Sequence, residues 1–171
     1  VGKCRREEGG LMCPSYQVTR EEEHSTRGRA RLLFEMFKGD TIAQSWRNET
    51  VKDALDLCLA CKGCKGDCPT GVDVATYKAE FLSHYYAGRL RPPYAYASGM
   101  IYWWSRVAAC MPAIANFFTP RPGLSGLIKF AAGYSQHRHF PPFAAETFKA
   151  WFARRGVRNA GKAPVILWAD T

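Results

Sequence analysis

Four cysteines within eleven residues, Cys58, Cys61, Cys64 and Cys68, stand in the run C-L-A-C-K-G-C-K-G-D-C-P, with Pro69 directly after the last. Thiolate is a soft ligand that suits iron–sulfur clusters, zinc and copper(I). Spacing selects among them. A structural zinc site usually draws on two cysteine pairs well separated in sequence, so that two hairpins grip one tetrahedron. Here three ligands fall at i, i+3 and i+6, and the fourth at i+10 before proline. That is the bacterial x2, x2, x3 run, in which three cysteines hold one [4Fe–4S] cluster and the fourth turns to another. Gly63 and Gly66 are expected to let backbone amides approach the sulfides closely. The chemistry implied is one-electron transfer. A zinc-stabilised structural or docking module is the alternative. No catalytic residue and no substrate site is expected within these 171 residues.

If Cys68 leaves for a second cluster, the first needs a donor from elsewhere, and Cys13, followed by Pro14, supplies it. The first ligand set is then Cys58, Cys61, Cys64 and Cys13, and the second contains Cys68 and Cys4. The second set is incomplete: Val1 stands where a further cysteine would precede Cys4, and the Cys4–Cys13 interval is five residues longer than the usual x3. One [4Fe–4S] cluster is expected on this count, with a second in the intact protein. Cys110 reads as a small hydrophobe in an apolar helix, Asp67 as a solvated loop residue, His137 and His139 as an exposed linker, and His84 as a packing or surface residue. The run S-T-R-G-R-A-R puts Arg27, Arg29 and Arg31 in the first turns of a helix, where the macrodipole disfavours cations. Two explanations stand: a solvated basic face, or arginines that offset cluster charge or grip Glu7, Glu21–Glu23 or a partner's carboxylates.

Strand signals are scarce, so the elements that position these residues are helices. One is predicted from Thr26 to Lys38, stopped by Gly39, with Ala30, Leu33, Phe34 and Phe37 on its apolar face. A second starts near Thr50 with Asp53 three residues on. A third runs from Asp73 to Ala87, stopped by Gly88, with Val74, Tyr77, Phe81 and Tyr85 on one face. Residues 1–18 read as a Gly-rich loop, and Thr19 with Glu22 as a capping box. From Pro92 the sequence becomes rich in Tyr, Trp, Phe, Ala and Met, read as two aromatic helices in a hairpin or as a docking surface. Arg106 and Pro112 leave its apolar runs well short of the ~20 residues of a membrane span. Pro120 and Pro122 precede a short helix at 123–132, Pro141 and Pro142 mark a linker, and a last helix covers 144–155. The segment V-I-L-W-A-D-T at 165–171 reads as a short buried strand.

The fold class expected is mainly α: a helical ferredoxin-like domain with two cysteine loops (1–90), an aromatic-rich helical region (91–140), and a linker helix with the start of a following domain (141–171). The start without Met and the stop in mid-pattern lead to the expectation of a piece of a longer polypeptide. The net charge is +9 among 171 residues. Part of that excess is expected to offset the negative charge of bound clusters. Nucleic acid is excluded as a partner, because the Lys and Arg residues are scattered and no reading motif accompanies them. Seven cysteines, no secretory leader and a polypeptide of this size argue against a disulfide framework and for a reducing, cytoplasmic setting.

The segments K-C-R-R-E-E-G-G-L-M-C-P-S-Y-Q-V-T, S-T-R-G-R-A-R-L-L and L-D-L-C-L-A-C-K-G-C-K-G-D-C-P-T-G-V-D-V-A-T-Y-K-A-E-F resemble the iron–sulfur region of large FAD-linked 2-hydroxy-acid oxidoreductases. These include glycolate oxidase iron–sulfur subunits, the anaerobic glycerol-3-phosphate dehydrogenase small subunit, and D-2-hydroxyglutarate or D-lactate dehydrogenase-like enzymes built as one polypeptide. The resemblance covers about residues 1–90 and is looser to 160. It is strongest to the one-polypeptide type, which also replaces one N-terminal cysteine and stretches the loop to M-C-P-S-Y. The resemblance implies an alpha-helical ferredoxin domain with Cys58, Cys61, Cys64, Cys13, Cys68 and Cys4 as cluster ligands. It implies FAD in a neighbouring domain or subunit, a following cysteine-rich domain, and a quinone or other electron acceptor. Peripheral contact with the inner face of a membrane is compatible with it.

Overall fold

The computed structural model describes residues 2–121, 123–156, 161–163 and 165–167. Among them every regular element is helical. There are two compact units, residues 1–89 and 90–171.

Unit 1 opens on a 3-10 turn, Lys3–Arg5, and a short helix α1, Pro14–Thr19. The Gly-rich loop expected over 1–18 thus contains a helix. Pro14 stands at its first position, where a missing N–H costs nothing. The expected capping box at Thr19 is not formed. Thr19 ends α1, its hydroxyl donates to Ser15 O at 3.0 Å, and it lies 3.0 Å from His24 Nδ1. A second 3-10 turn, Glu22–His24, leads into α2, Thr26–Lys38. Buried Ser25 caps α2 by accepting from Gly28 N at 2.9 Å, and Gly39, at φ 79°, ends it. Helix α3, Glu49–Asp56, is capped by Asn48, two residues before the expected start. Helix α4, Gly63–Asp67, lies inside the cysteine run. Asp73 caps α5, Val74–Tyr85.

The core of unit 1 joins Leu33 and Met36 of α2, Val51 and Leu55 of α3, and Val74, Phe81 and Tyr85 of α5, with Met12, Cys4 and Cys64 from the cysteine segments. The buried face of α2 is the expected one only at Leu33. Phe34 and Phe37 are about half exposed, while Thr26, Arg29, Leu33 and Met36 face inward. The i, i+3, i+4 pattern admits both faces; the inward one is chosen because Ser25 and Gly28 hold the helix start against the preceding turn. Phe37 instead packs edge-on against Trp46, ring centres 5.4 Å apart. Trp46 in turn stacks on His84 at 4.1 Å, which accounts for that histidine. On α5, Tyr77 likewise stays exposed.

Gly28 is a steric requirement. A Cβ there would lie 1.9 Å from the Glu22 carbonyl oxygen. At Gly66 a Cβ would meet nothing within 4 Å.

Unit 2 contains α6 (Pro93–Gly99), α7 (Ile101–Cys110), α8 (Pro112–Phe118), α9 (Leu124–Ala131) and α10 (Phe148–Arg154). Consecutive helices α6, α7 and α8 touch in turn, so the expected two-helix hairpin contains three helices. The folding back is fixed by polar links. Asn116 exchanges two hydrogen bonds of 2.8 Å with the Phe143 backbone, and Lys129 Nζ donates to Gln136 O and Arg138 O. Apolar burial is scant: among its described residues only Ser125 and Lys129 are buried, while Trp103, Trp104, Phe130 and Phe152 are at least half exposed. Cys110, expected inside an apolar helix, is exposed, as are His137 and His139. Residues 165–167 form no strand, and the rest of that expected strand, residues 168–171, lies outside the described residues, as do Val1 and Pro122. No helix among the described residues is long and apolar enough to cross a membrane.

The charge is not where it was expected. Unit 1 carries fourteen Lys and Arg against thirteen Asp and Glu, and unit 2 ten against two. The basic excess therefore belongs to unit 2, not to the unit holding the cysteine loops.

Replacing Gly28 by Ala is expected to destabilise unit 1 by about 3 kcal/mol, the range of severe overpacking. Gly66→Ala is expected to be neutral or to stabilise by up to about 1 kcal/mol, as for glycine in a helix interior. Denaturant unfolding of the two variants checks both.

Candidate metal centre

Cys13, Cys58, Cys61 and Cys64 line one recess, together with Ser15, Thr26, Arg29, Lys62 and Val74. The recess is open to solvent, and its empty volume, the open part included, is about 340 Å³. Cys61 is exposed, Cys13 and Cys58 are half-buried, and Cys64 is buried. Cys68 and Cys4 are not among the lining residues. Cys68 follows one helical turn after Cys64, with its N–H donating to Cys64 O at 2.8 Å, and Cys4 is buried in the adjoining core.

Backbone conformation makes the recess. Cys13, Ala60 and Lys62 all have left-handed φ, at 51°, 52° and 58°. Non-glycine residues rarely hold this conformation unless the surroundings demand it. Alternation of left- and right-handed residues points successive N–H groups into one concavity, the arrangement found at many iron–sulfur sites. The two turns touch: a Cβ at Gly63 would lie 3.0 Å from Leu11 O. Gly63 is thus also required by the neighbouring cysteine loop, whereas a Cβ at Gly66 would meet no protein atom within 4 Å.

The Cys13 sulfur sits at the N-terminus of α2. It accepts from Thr26 N at 3.0 Å and lies 2.9 Å from the Thr26 hydroxyl. Burial pushes the Cys13 thiol up, and the two Thr26 hydrogen bonds oppose that rise. Cys68 behaves differently. The Thr70 hydroxyl, 3.1 Å away, and then the Val72 backbone N–H hold its thiol below the usual range.

The three arginines of the S-T-R-G-R-A-R run have three fates. Arg27 turns out to Glu22 and Arg31 to Glu35. Arg29 turns inward and is 2% exposed. Its Nε donates to Ala54 O at 2.7 Å and its terminal nitrogen to Ser15 Oγ at 2.9 Å. Burial lowers the Arg29 pKa, while Cys58, Cys13, Cys64 and, least, Glu23 raise it. A second cation, half-buried Lys78, donates to Asp56 O at 3.2 Å and Cys58 O at 2.8 Å, so it caps the end of α3 and braces the loop. The sequence carried a signal for Arg29, a cation where the dipole disfavours one. It carried none for Lys78, Thr26 or Ser15.

These features suit an anionic multinuclear cluster. No three of the seven cysteine sulfurs lie within 4.8 Å of one another; among the described residues only Glu21, Glu23 and His24 form such a group of ligand atoms. One zinc ion with Zn–S bonds of about 2.3 Å would need its sulfurs about 4 Å apart. A cube that takes one thiolate at each corner spreads its ligands wider. The Glu21–Glu23–His24 group is already explained: His24 Nδ1 is held by Thr19 and by Glu21 at 3.3 Å.

Comparison with known proteins bears on the same segment. Residues 2–73 match the family described as a 4Fe-4S dicluster domain. This part of the protein is a 4Fe–4S domain, and its relatives are oxidoreductases. The sequence is 32% identical over 136 residues to a D-2-hydroxyglutarate dehydrogenase of Pseudomonas putida, covering 61% of this protein and 14% of that one. To the enzyme of the same name from Pantoea ananatis it is 28% identical over 156 residues, 71% of this protein and 15% of that one. To the glycolate oxidase iron–sulfur subunit of Escherichia coli it is 33% identical over 60 residues, 35% of this protein and 14% of the subunit. The aligned stretch thus spans about one-seventh of each of these relatives. No solved structure matches.

Asp73, which caps α5, lies 3.7 and 3.6 Å from Lys62 and Lys65. The Thr76 backbone N–H, then its hydroxyl and the two lysines, hold the Asp73 carboxyl below the ordinary range. A carboxyl lowered on folding contributes stability that is fully present above the ordinary Asp value of about 3.9 and is lost as pH falls through the folded value. Asp73→Asn is therefore expected to lose stability near neutral pH and to weaken the acid dependence below about pH 4. Thermal melts from about pH 2 to 7 measure it.

Proposed function

We propose that unit 1 is the electron-relay part of an FAD-linked oxidoreductase. On this reading Cys13, Cys58, Cys61 and Cys64 ligate one [4Fe–4S] cluster, and Cys68 and Cys4 belong to a second whose remaining ligands come from elsewhere. Bound there, a [4Fe–4S] cluster supplies reversible one-electron transfer. The protein's own residues bring the four cysteines to one recess, set the Thr26 N–H on the Cys13 sulfur, and provide a buried cation. The observation that carries the proposal is the convergence of four cysteines from two distant loops on one recess.

The relatives' names support a parent enzyme acting on a 2-hydroxy acid, with D-2-hydroxyglutarate the leading substrate class. In this proposal flavin and substrate sites lie in a neighbouring domain or subunit, and electrons leave toward a quinone or another acceptor. The proposed division is a ferredoxin domain over 1–90, a helical region over 91–140 and a linker over 141–171. Unit 2, with its exposed aromatic side chains and strong positive charge, is proposed to contact the rest of that enzyme, including the flavin-bearing part. Exposed apolar area of this extent marks an interaction surface. The proposed setting is the cytoplasm, with peripheral contact at the inner face of the membrane.

Anaerobically purified protein is expected to be brown, to contain iron and acid-labile sulfide, and to give an EPR signal on dithionite reduction. Colourless protein with stoichiometric zinc would refute the proposal. Cys64→Ser is expected to lose or convert one cluster and to lower the melting temperature, since metal binding is coupled to folding. Iron analysis and a thermal melt of that variant provide the check.

A further inference from the structure

Arg29 presents an electrostatic problem that its protein neighbours do not solve. It is 2% exposed, and its hydrogen-bond partners, Ala54 O and Ser15 Oγ, are neutral. Among the described residues no carboxylate lies within 4.0 Å of it, although Arg27 and Arg31 beside it each have one. A buried charge without a counter-charge is strongly unfavourable. Beyond that distance Glu23 adds the weakest of the attractions on it, and the stronger ones come from Cys58, Cys13 and Cys64, which with Cys61 line the same recess.

We propose that Arg29, supported by Lys78, sets the reduction potential of the cluster bound by these four cysteines, holding it more positive than the same ligands would without a buried cation. This rests on the cluster assignment above. Reduction adds one electron to the bound group and releases no ligand, so its net charge becomes more negative by one. A fixed cation in a poorly solvated site stabilises the more negative form more strongly, and the potential rises. The guanidinium is held for this purpose from two sides. Ser15 Oγ accepts from Arg29 while donating its own proton to His24 O at 3.0 Å, so its lone pair faces the arginine. The Ala54 carbonyl, near the end of α3, fixes the other edge. Lys78 acts in the same direction but less strongly, because it is only half-buried and reaches the Cys58 carbonyl rather than a sulfur.

The test is an EPR-monitored potentiometric titration of the full-length protein, poised with dithionite and mediator dyes, following the signal that disappears in Cys64→Ser. Arg29→Gln is expected to retain wild-type iron and sulfide and to shift the midpoint to more negative potential. Arg29→Lys is expected to stay near the wild-type midpoint, and Lys78→Gln to shift in the same direction as Arg29→Gln by less. An unmoved midpoint in Arg29→Gln with full iron content overturns the proposal. If Arg29→Gln loses its iron, the other two variants decide. Iron retained in Arg29→Lys together with a negative shift in Lys78→Gln sustains it; iron lost in Arg29→Lys too, or an unmoved Lys78→Gln midpoint, overturns it. Zinc in place of iron in the wild-type protein would sink the cluster assignment itself, and this proposal with it.

Discussion

Unit 1 depends on the contact between two backbone turns, one at Leu11–Cys13 and one at Ala60–Gly63. Leu11 O approaches the Gly63 α-carbon so closely that a Cβ there would sit 3.0 Å from it. Neither turn is in a relaxed conformation, since Cys13, Ala60 and Lys62 all hold left-handed φ. Such strain persists only where the surroundings over-determine it. The surroundings here are α2, α3 and α5, whose shared core brings the two turns together. The helices supply the free energy, and the turns use it to bring four cysteines to one recess.

Charge follows from the same arrangement. Unit 1 is nearly neutral as a whole, yet it buries a guanidinium beside four thiols. Others of its arginines have carboxylate partners: exposed Glu22 for Arg5 and Arg27, exposed Glu7 for Arg20, and buried Glu35 for Arg31. Arg29 is left to face the recess. The first turn of α2 therefore has two tasks. Its Thr26 N–H meets the Cys13 sulfur, and its fourth residue, Arg29, delivers a cation that the helix end by itself would disfavour.

Unit 2 is built on another principle. Its turns are tied by polar links through Asn116 and Lys129, while most of its large apolar side chains remain in contact with water. Apolar area left exposed contributes nothing to folding, whereas buried area contributes about 25 cal/mol per Å². A surface of this kind, combined with nearly all of the protein's basic excess, is suited to being covered by another polypeptide surface.

Local chemistry made much of this legible in the sequence. The cysteine spacing, the C-P dipeptides, the α2 boundaries and the start of α5 at Asp73 all rest on interactions among residues a few positions apart; the structure has α2 where it was predicted and begins α5 one residue later, with Asp73 as its cap. The aromatic region was recognisable as helices, though its third helix, α6, was not. What the sequence left undetermined depends on partners far away along the backbone. The inward face of α2, the reason for Gly28 and Gly63, the inward turn of Arg29 alone among three arginines, and the bracing by Lys78 are set by contacts with Glu22, Leu11, Ala54 and Cys58. No periodicity encodes such contacts. The sequence by itself determined which thiols are available as ligands. Tertiary structure decided which four sulfurs share a recess and which cation faces them, because only packing brings those residues to one place.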